Sequence, residues 1–241
     1  MNPNEVDLVV TDPPYNVAYE GNGKTIQNDD MSNDEFKEFL SSCFACMSDV
    51  MKAGAPFYVW HASREQMNFE KALNNAGLKV RQQLIWNKSS LILGRQDYQW
   101  KHEPCFYGWK DGAAHYFKDS RVETTVIEDK PNINKMSKQE LKEYIKELLR
   151  NIPASTVIEE DKPSRNGEHP TMKPVRLIGY QIQNSSKKND IVLDLFGGSG
   201  TTLIACEQLN RRCRTMELDE KYASVILQRW KNLTGKEGIR I

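Results

Sequence analysis

The chain has 241 residues and a mass of 27.8 kDa, enough to bury one sizeable core, and its 39% hydrophobic and 27% charged composition is that of a globular domain. Its 33 basic and 33 acidic side chains cancel to a net charge of zero, which excludes a uniformly basic nucleic-acid coat and leaves phosphate contacts to local patches. No apolar run approaches the roughly 18 residues needed for a helix to cross a bilayer, and the N-terminus lacks the basic-then-apolar order of a secretory leader, so no membrane partner and a cytoplasmic location are expected.

Val6 to Thr11 is a continuous apolar run of the kind buried on both faces of a parallel sheet. It ends in Asp12-Pro13-Pro14-Tyr15, which places a carboxylate, two rigid backbone carbonyls and an aromatic face at a strand terminus. That combination suits a planar base carrying an amino group. The stretch from Asn16 to Asp30 that follows is glycine-containing and is expected to be a mobile lid over the base pocket. Ser32 and Glu35 form a capping box, and Phe36, Phe39, Leu40, Cys43, Phe44, Met47, Val50 and Met51 recur at helical spacing until Gly54. Five cysteines in a chain without a secretory leader read as thiols. Cys43 and Cys46 fall on the apolar face of that helix, and without a second pair at ligand spacing they are expected to pack in the core and hold no metal.

A strand near Phe57 to His61 comes next, and Ser63 with Gln66 repeats the capping pattern for a helix ending at Gly77. Strands are expected at Leu84 to Asn87 and at Pro104 to Tyr107, the second antiparallel because little chain separates them. From Lys110 to Glu168 the chain turns polar, is broken by Pro131, Pro153 and Pro163, and holds one amphipathic helix, capped by Ser137 and Glu140, with Leu141, Tyr144, Ile145, Leu148 and Leu149 on one face. This is the candidate insertion, placed to read substrate. Arg95, Lys101, Lys110, Lys118 and Arg121, with a later group of Lys162, Arg165, Lys173 and Arg176, are interleaved with Tyr98, Trp100, Trp109, Tyr116 and Phe117, and as a set they are expected to form a nucleic-acid surface.

Regular alternation returns with a helix from Pro174, a strand from Ile191 to Phe196, a helix from Thr201, a strand ending at Glu217 and a helix from Lys221 to about Asn232. Phe196-Gly197-Gly198-Ser199-Gly200 therefore sits between a strand and a helix, where backbone approaches a nucleoside cofactor closely. Glu217, about twenty residues beyond Gly197, is placed to bind ribose hydroxyls, and Asp194, Thr201 and Thr202 add polar groups. Alone, this half of the chain leaves a dinucleotide site open. Strand, helix, strand, helix predicts an α/β sheet covered on both faces.

Taken in order, Asp12-Pro13-Pro14-Tyr15, the basic and aromatic middle, His169-Pro170-Thr171-Met172-Lys173-Pro174, and Leu193-Asp194-Leu195-Phe196-Gly197-Gly198-Ser199-Gly200 resemble the amino-methylating DNA methyltransferases of the permuted β class, nearest to their phage-type members. Tyr98 to Trp109, with His102-Glu103, resembles the stretch that leads from the catalytic half into target recognition. The resemblance implies a Rossmann-like S-adenosylmethionine-dependent sheet with helices on both faces and an inserted target-recognition region. It divides the chain into a catalytic half (1–109), a recognition insertion (110–168) and a cofactor half (169–241).

By the same resemblance, Asp12 and the Pro13 carbonyl accept hydrogen bonds from the exocyclic amino group, Pro14 stiffens the motif, and Tyr15 stacks on a base flipped out of double-stranded DNA. Phe196, Gly197, Gly198, Ser199, Gly200, Thr201 and Thr202, with Asp194, lie about S-adenosylmethionine. Glu217 holds its ribose, and His169 and Lys173 help position the methionine end. Adenine N6 is the expected target, with cytosine N4 the alternative. The motif order argues against a protein or RNA methyltransferase. Family members carry another strand and helix ahead of the catalytic strand, whereas only Met1 to Glu5 precede it here. Either a missing N-terminal segment or fused domain, or an adenine pocket finished by other residues, is therefore expected, and a catalytically silent nucleic-acid-binding remnant is a further alternative. Relatives are often dimers, so a homodimer is expected.

Overall fold

The apolar run before Asp12 forms strand β1 (Leu8–Thr11), with all four residues buried. The computed structural model describes residues 1–17, 20–21, 24–25, 29–92, 97–128 and 172–238. The helix expected after Ser137, His169, Lys162 and Arg165 lie outside the described residues, as does most of the Asn16 to Asp30 stretch. Two short paired strands fall within that stretch, β2 (Glu20–Gly21) and β3 (Lys24–Thr25).

Helix α1 (Asn33–Val50) begins at the capping box read from Ser32 and Glu35, and buries Phe36, Leu40, Phe44 and Met47. Cys43 is half-buried against that core, and burial pushes its thiol up to about 11. Cys46, expected beside it in the core, is instead exposed: Cys43 already sits at the edge of the face formed by Phe36, Leu40, Phe44 and Met47, and the roughly 60° offset of three residues carries Cys46 past that edge. Strand β4 (Pro56–Trp60) is buried throughout. The second capping box does not form: Ser63–Glu65 is a 3₁₀ turn, and α2 (Gln66–Asn75) starts without a side-chain cap. β5 (Leu78–Ile92) and β6 (Trp100–Lys110) are far longer than the four-residue strands expected, and they pair antiparallel as predicted. After β7 (Val126–Glu128) the remaining elements are α3 (Val175–Ser185), β8 (Ile191–Asp194), α4 (Thr201–Gln208), β9 (Arg212–Thr215) and α5 (Glu220–Thr234). β9 stops two residues short of Glu217.

Among the described residues, seven strands form one sheet in the order β7-β5-β6-β4-β1-β8-β9. β1 pairs parallel with β4 on one side and with β8 on the other, β8 pairs parallel with β9, and β5 pairs parallel with β7. β6 runs antiparallel to both of its neighbours, β4 and β5. β7, at Val126–Glu128, lies at the edge of this sheet beside β5. One core cluster packs α1 and α2 on one face of the sheet, and a second packs α3 and α4 on the other. Among the described residues no helix is long and apolar enough to cross a membrane.

Candidate active site

The chain leaves β1 toward β4 and leaves β8 toward β9, so strand order reverses between β1 and β8. In open α/β sheets the crevice beyond the carboxyl ends of such strands is where ligands bind. Asp12 to Tyr15 follow β1 directly, and Phe196 to Gly200 follow β8. The two ends are joined by Thr11, whose hydroxyl donates to Asp194 Oδ1 (3.1 Å) and accepts from the Leu195 N–H (3.2 Å). Thr11 carries no local signal of this role, since a buried threonine ending a strand looks like ordinary β-structure.

On the β1 side, Tyr15 OH donates to Asp12 Oδ1 (2.7 Å), and the Lys173 ammonium forms an ion pair with Asp12 Oδ2. The same ammonium lies 3.1 Å from the Tyr15 hydroxyl and 3.4 Å from Glu103 Oε2, while Lys88 pairs with Glu103 Oε1. Burial works against the Lys173 charge, but Asp12 and Glu103 override it and raise its pKa. Burial likewise opposes the Glu103 carboxylate, and Lys173 and Lys88 hold its pKa below the usual value. Burial, reinforced by Asp12, keeps Tyr15 neutral and a donor. Trp60 closes the site from β4: its ring lies 5.0 Å from Lys173 Nζ and 6.2 Å, edge-on, from Trp86. Its buried Nε1 has no hydrogen-bond partner among the described residues.

The start of the expected lid is pinned. The Tyr15 N–H donates to Asp29 Oδ1 (2.9 Å), Asn16 exchanges two hydrogen bonds with the Met31 backbone, and Arg64 Nη2 donates to the Asn16 carbonyl (2.9 Å).

On the β8 side, burial pushes the Asp194 carboxyl up to about 7, against hydrogen bonds from Thr202, the Phe196 N–H and Thr11. The Gly198 N–H donates to Glu217 Oε2 (2.6 Å) and the Asp219 N–H to Oε1 (2.9 Å), so Glu217 braces the turn while each oxygen keeps acceptor capacity. Gly198 and Gly200 adopt φ of 52° and 81°. A Cβ on Gly197 or Gly200 would meet Ile226 of α5, so these two glycines answer to packing within the protein. Thr201 Oγ1 donates to the Lys173 carbonyl (3.2 Å) and lies 3.2 Å from Ser199 Oγ, which stitches the turn to the segment before α3. Arg229 of α5 donates to the Ser199 carbonyl (2.5 Å), a role no local motif announced. Phe196 lies 5.9 Å from Phe39, beside an open recess of about 410 Å³ lined by Asp30, Met31, Glu35, Glu38 and Phe39.

The basic and aromatic set divides. Lys110 caps α1 through the Ser48 and Met51 carbonyls, Lys118 pairs with Glu123, and Lys173 is buried, so these three are engaged inside the protein. Tyr98, Trp100, Lys101, Tyr116, Arg121 and Arg176 remain exposed.

A mostly parallel sheet with a carboxylate motif and a glycine turn facing each other across its switch point defines a Rossmann-like methyltransferase fold. The chain belongs to the DNA methylase family, whose profile matches residues 6–228. It is similar to the DNA adenine methyltransferase YhdJ of Escherichia coli (strain K12), at 26% identity over 238 residues, 93% of this chain and 76% of that protein. Among solved structures, the M1.HpyAVI–SAM complex matches with a TM-score of 0.67 at 20% identity, over 94% of this chain and 89% of that one. The PvuII DNA methyltransferase (cytosine-N4-specific) matches with a TM-score of 0.67 at 15% identity, over 95% and 80%. These two likenesses establish the fold.

Proposed function

We propose that the chain transfers a methyl group from S-adenosylmethionine to the exocyclic amino group of a base rotated out of duplex DNA, with adenine N6 as the target. The observation that carries this reading is the juxtaposition of Asp12-Pro13-Pro14-Tyr15 and the glycine turn on adjacent strands, locked together by Thr11 and Asp194. Cytosine N4 is the second reading. It is favoured by the fold shared with a cytosine-N4-specific DNA methyltransferase, and a carboxylate with a stacking ring serves either amino group.

The residues present fit the cofactor. The Phe39–Phe196 pair offers a surface for a purine, Asp30 and Glu38 line the same recess as acceptors for amino or cationic groups, and Glu217 has lone pairs left for ribose hydroxyls. When bound, S-adenosylmethionine supplies an activated methyl on a sulfonium. The chain's own work is positioning and electrostatics. Asp12 accepts from the amino group and orients its lone pair, the Pro13 carbonyl accepts the second hydrogen, and the Tyr15 ring stacks on the base. Extrusion of the base costs roughly a few kcal/mol of lost stacking and pairing, which binding must offset.

The test is methyl transfer from labelled S-adenosylmethionine to methyl-free duplex DNA, read by nucleoside mass spectrometry, with Asp12→Ala as control. N6-methyladenine, lost at least about a hundredfold in the variant, supports the reading. N4-methylcytosine replaces the base assignment, and absence of both from folded protein refutes the activity.

A further inference from the structure

Both oxygens of the Asp12 carboxylate are taken in this structure, Oδ1 by the Tyr15 hydroxyl at 2.7 Å and Oδ2 by the Lys173 ammonium. The ammonium also stands 5.4 Å from the Tyr15 ring centre and 5.0 Å from that of Trp60. A target amino group that hydrogen-bonds Asp12 and belongs to a ring stacked on Tyr15 requires that same volume. Lys173 is therefore where a substrate nitrogen would be, with the same donor chemistry.

Removing the lysine outright would leave a part-buried carboxylate without its counter-charge, which is costly. The structure offers a shorter path. Glu103 Oε2 lies 3.4 Å from Lys173 Nζ, and its other oxygen is held by Lys88. The Lys173 backbone is fixed by Thr201 at 3.2 Å, so only the flexible four-carbon stem need swing. Asp12, Glu103, Lys173 and Lys88 carry two charges of each sign, and transfer of the ammonium from Asp12 to Glu103 keeps the cluster neutral.

We propose that Lys173 is a place-holder for the target amino group in the empty site, and that Glu103 is a positioning residue that receives the ammonium when the base arrives. This rests on the amino-methylation reading above. Lys173 thus keeps Asp12 charged and oriented between turnovers, and yields it only to a base that supplies its own donor. Glu103, held by Lys88, sets how readily that exchange occurs.

The experiment compares Glu103→Gln, Lys173→Met and the double variant in the full chain. Glu103→Gln strands the ammonium on Asp12. Its kcat/KM for methyl-free DNA is expected to fall roughly ten- to a hundredfold, chiefly through KM for DNA, while affinity for S-adenosylmethionine is unchanged. Adding Lys173→Met is expected to recover most of that loss, because the blocking cation is gone. A double variant as slow as Glu103→Gln, or a Glu103→Gln enzyme at the wild-type rate, overturns the proposal. Thermal unfolding of Asp12→Asn, Lys173→Met and their combination reads the contact without activity. Non-additivity of about 2–4 °C is expected, and strict additivity also overturns the proposal. A wild-type chain that transfers no methyl group but shows this coupling refutes the proposed function and leaves the ion-pair arrangement standing.

Discussion

Replacing Gly197 with alanine tests whether this glycine answers to the cofactor or to the protein's own packing. An added Cβ would lie 2.6 Å from Thr215 Oγ1, 2.9 Å from Ile226 Cδ1 and 3.1 Å from the Met216 carbonyl oxygen. The first two atoms can rotate away. The third is backbone, anchored by the Gly197 N–H itself at 2.7 Å. Overpacking of this kind costs about 1–3 kcal/mol. At about 2–4 °C per kcal/mol for a chain of this size, the melting temperature should drop by roughly 2–12 °C.

Ile226→Val deletes the Cδ1 atom that the new methyl meets, and alone it should cost about 0.5–1.5 kcal/mol. Combined with Gly197→Ala it should cost less than the sum of the two by more than about 0.5 kcal/mol. Urea unfolding followed by far-UV circular dichroism measures all three. A Gly197→Ala stability within about 0.5 kcal/mol of wild type, or strict additivity with Ile226→Val, would mean that position 197 is not crowded by its neighbours.

Two further perturbations probe the core beneath the site. His61 is buried, stacked 4.1 Å from Phe106, and burial pulls its pKa down to about 4 against the opposing Ala62 carbonyl. The unfolded chain takes up this proton below about 6.5 and the folded chain refuses it, so its stability cost is nil above that pH and grows as pH falls toward 4, to roughly 3 kcal/mol. His61→Phe should abolish that component, and parallel stability curves for variant and wild type between pH 7 and 4 would sink the claim. Lys110 Nζ donates to the Ser48 and Met51 carbonyls at 2.7 and 2.9 Å, satisfying the C-terminal end of α1. Lys110→Met should cost about 1–2 kcal/mol in urea unfolding, and no change would mean that water replaces the ammonium freely.

Features written in local chemistry are legible in the order of residues alone. The apolar run ahead of Asp12, the capping box at Ser32 and the glycine turn after Asp194 each depend on residues within a few positions of one another. Ser63 does not cap a helix because the same pattern fits a 3₁₀ turn, and Cys46 is exposed because helical angle, not apolar character, sets which side of α1 it lies on. β5 and β6 extend beyond their apolar stretches because Arg81 to Gln83 and Trp100 to Glu103 carry polar residues that a long antiparallel ladder tolerates on its wet face.

The two strand ends, their residue types and the alternation that puts both in one sheet are written in the order of residues, because periodicity and turn residues act over short stretches of chain. It took the packed fold to set β6 running backwards between β4 and β5, to crowd position 197 with the Met216 carbonyl, and to bring Lys173 to Asp12 and Glu103. Those contacts join residues tens to more than a hundred positions apart. Their geometry is set by how helices and strands pack, which no local pattern encodes.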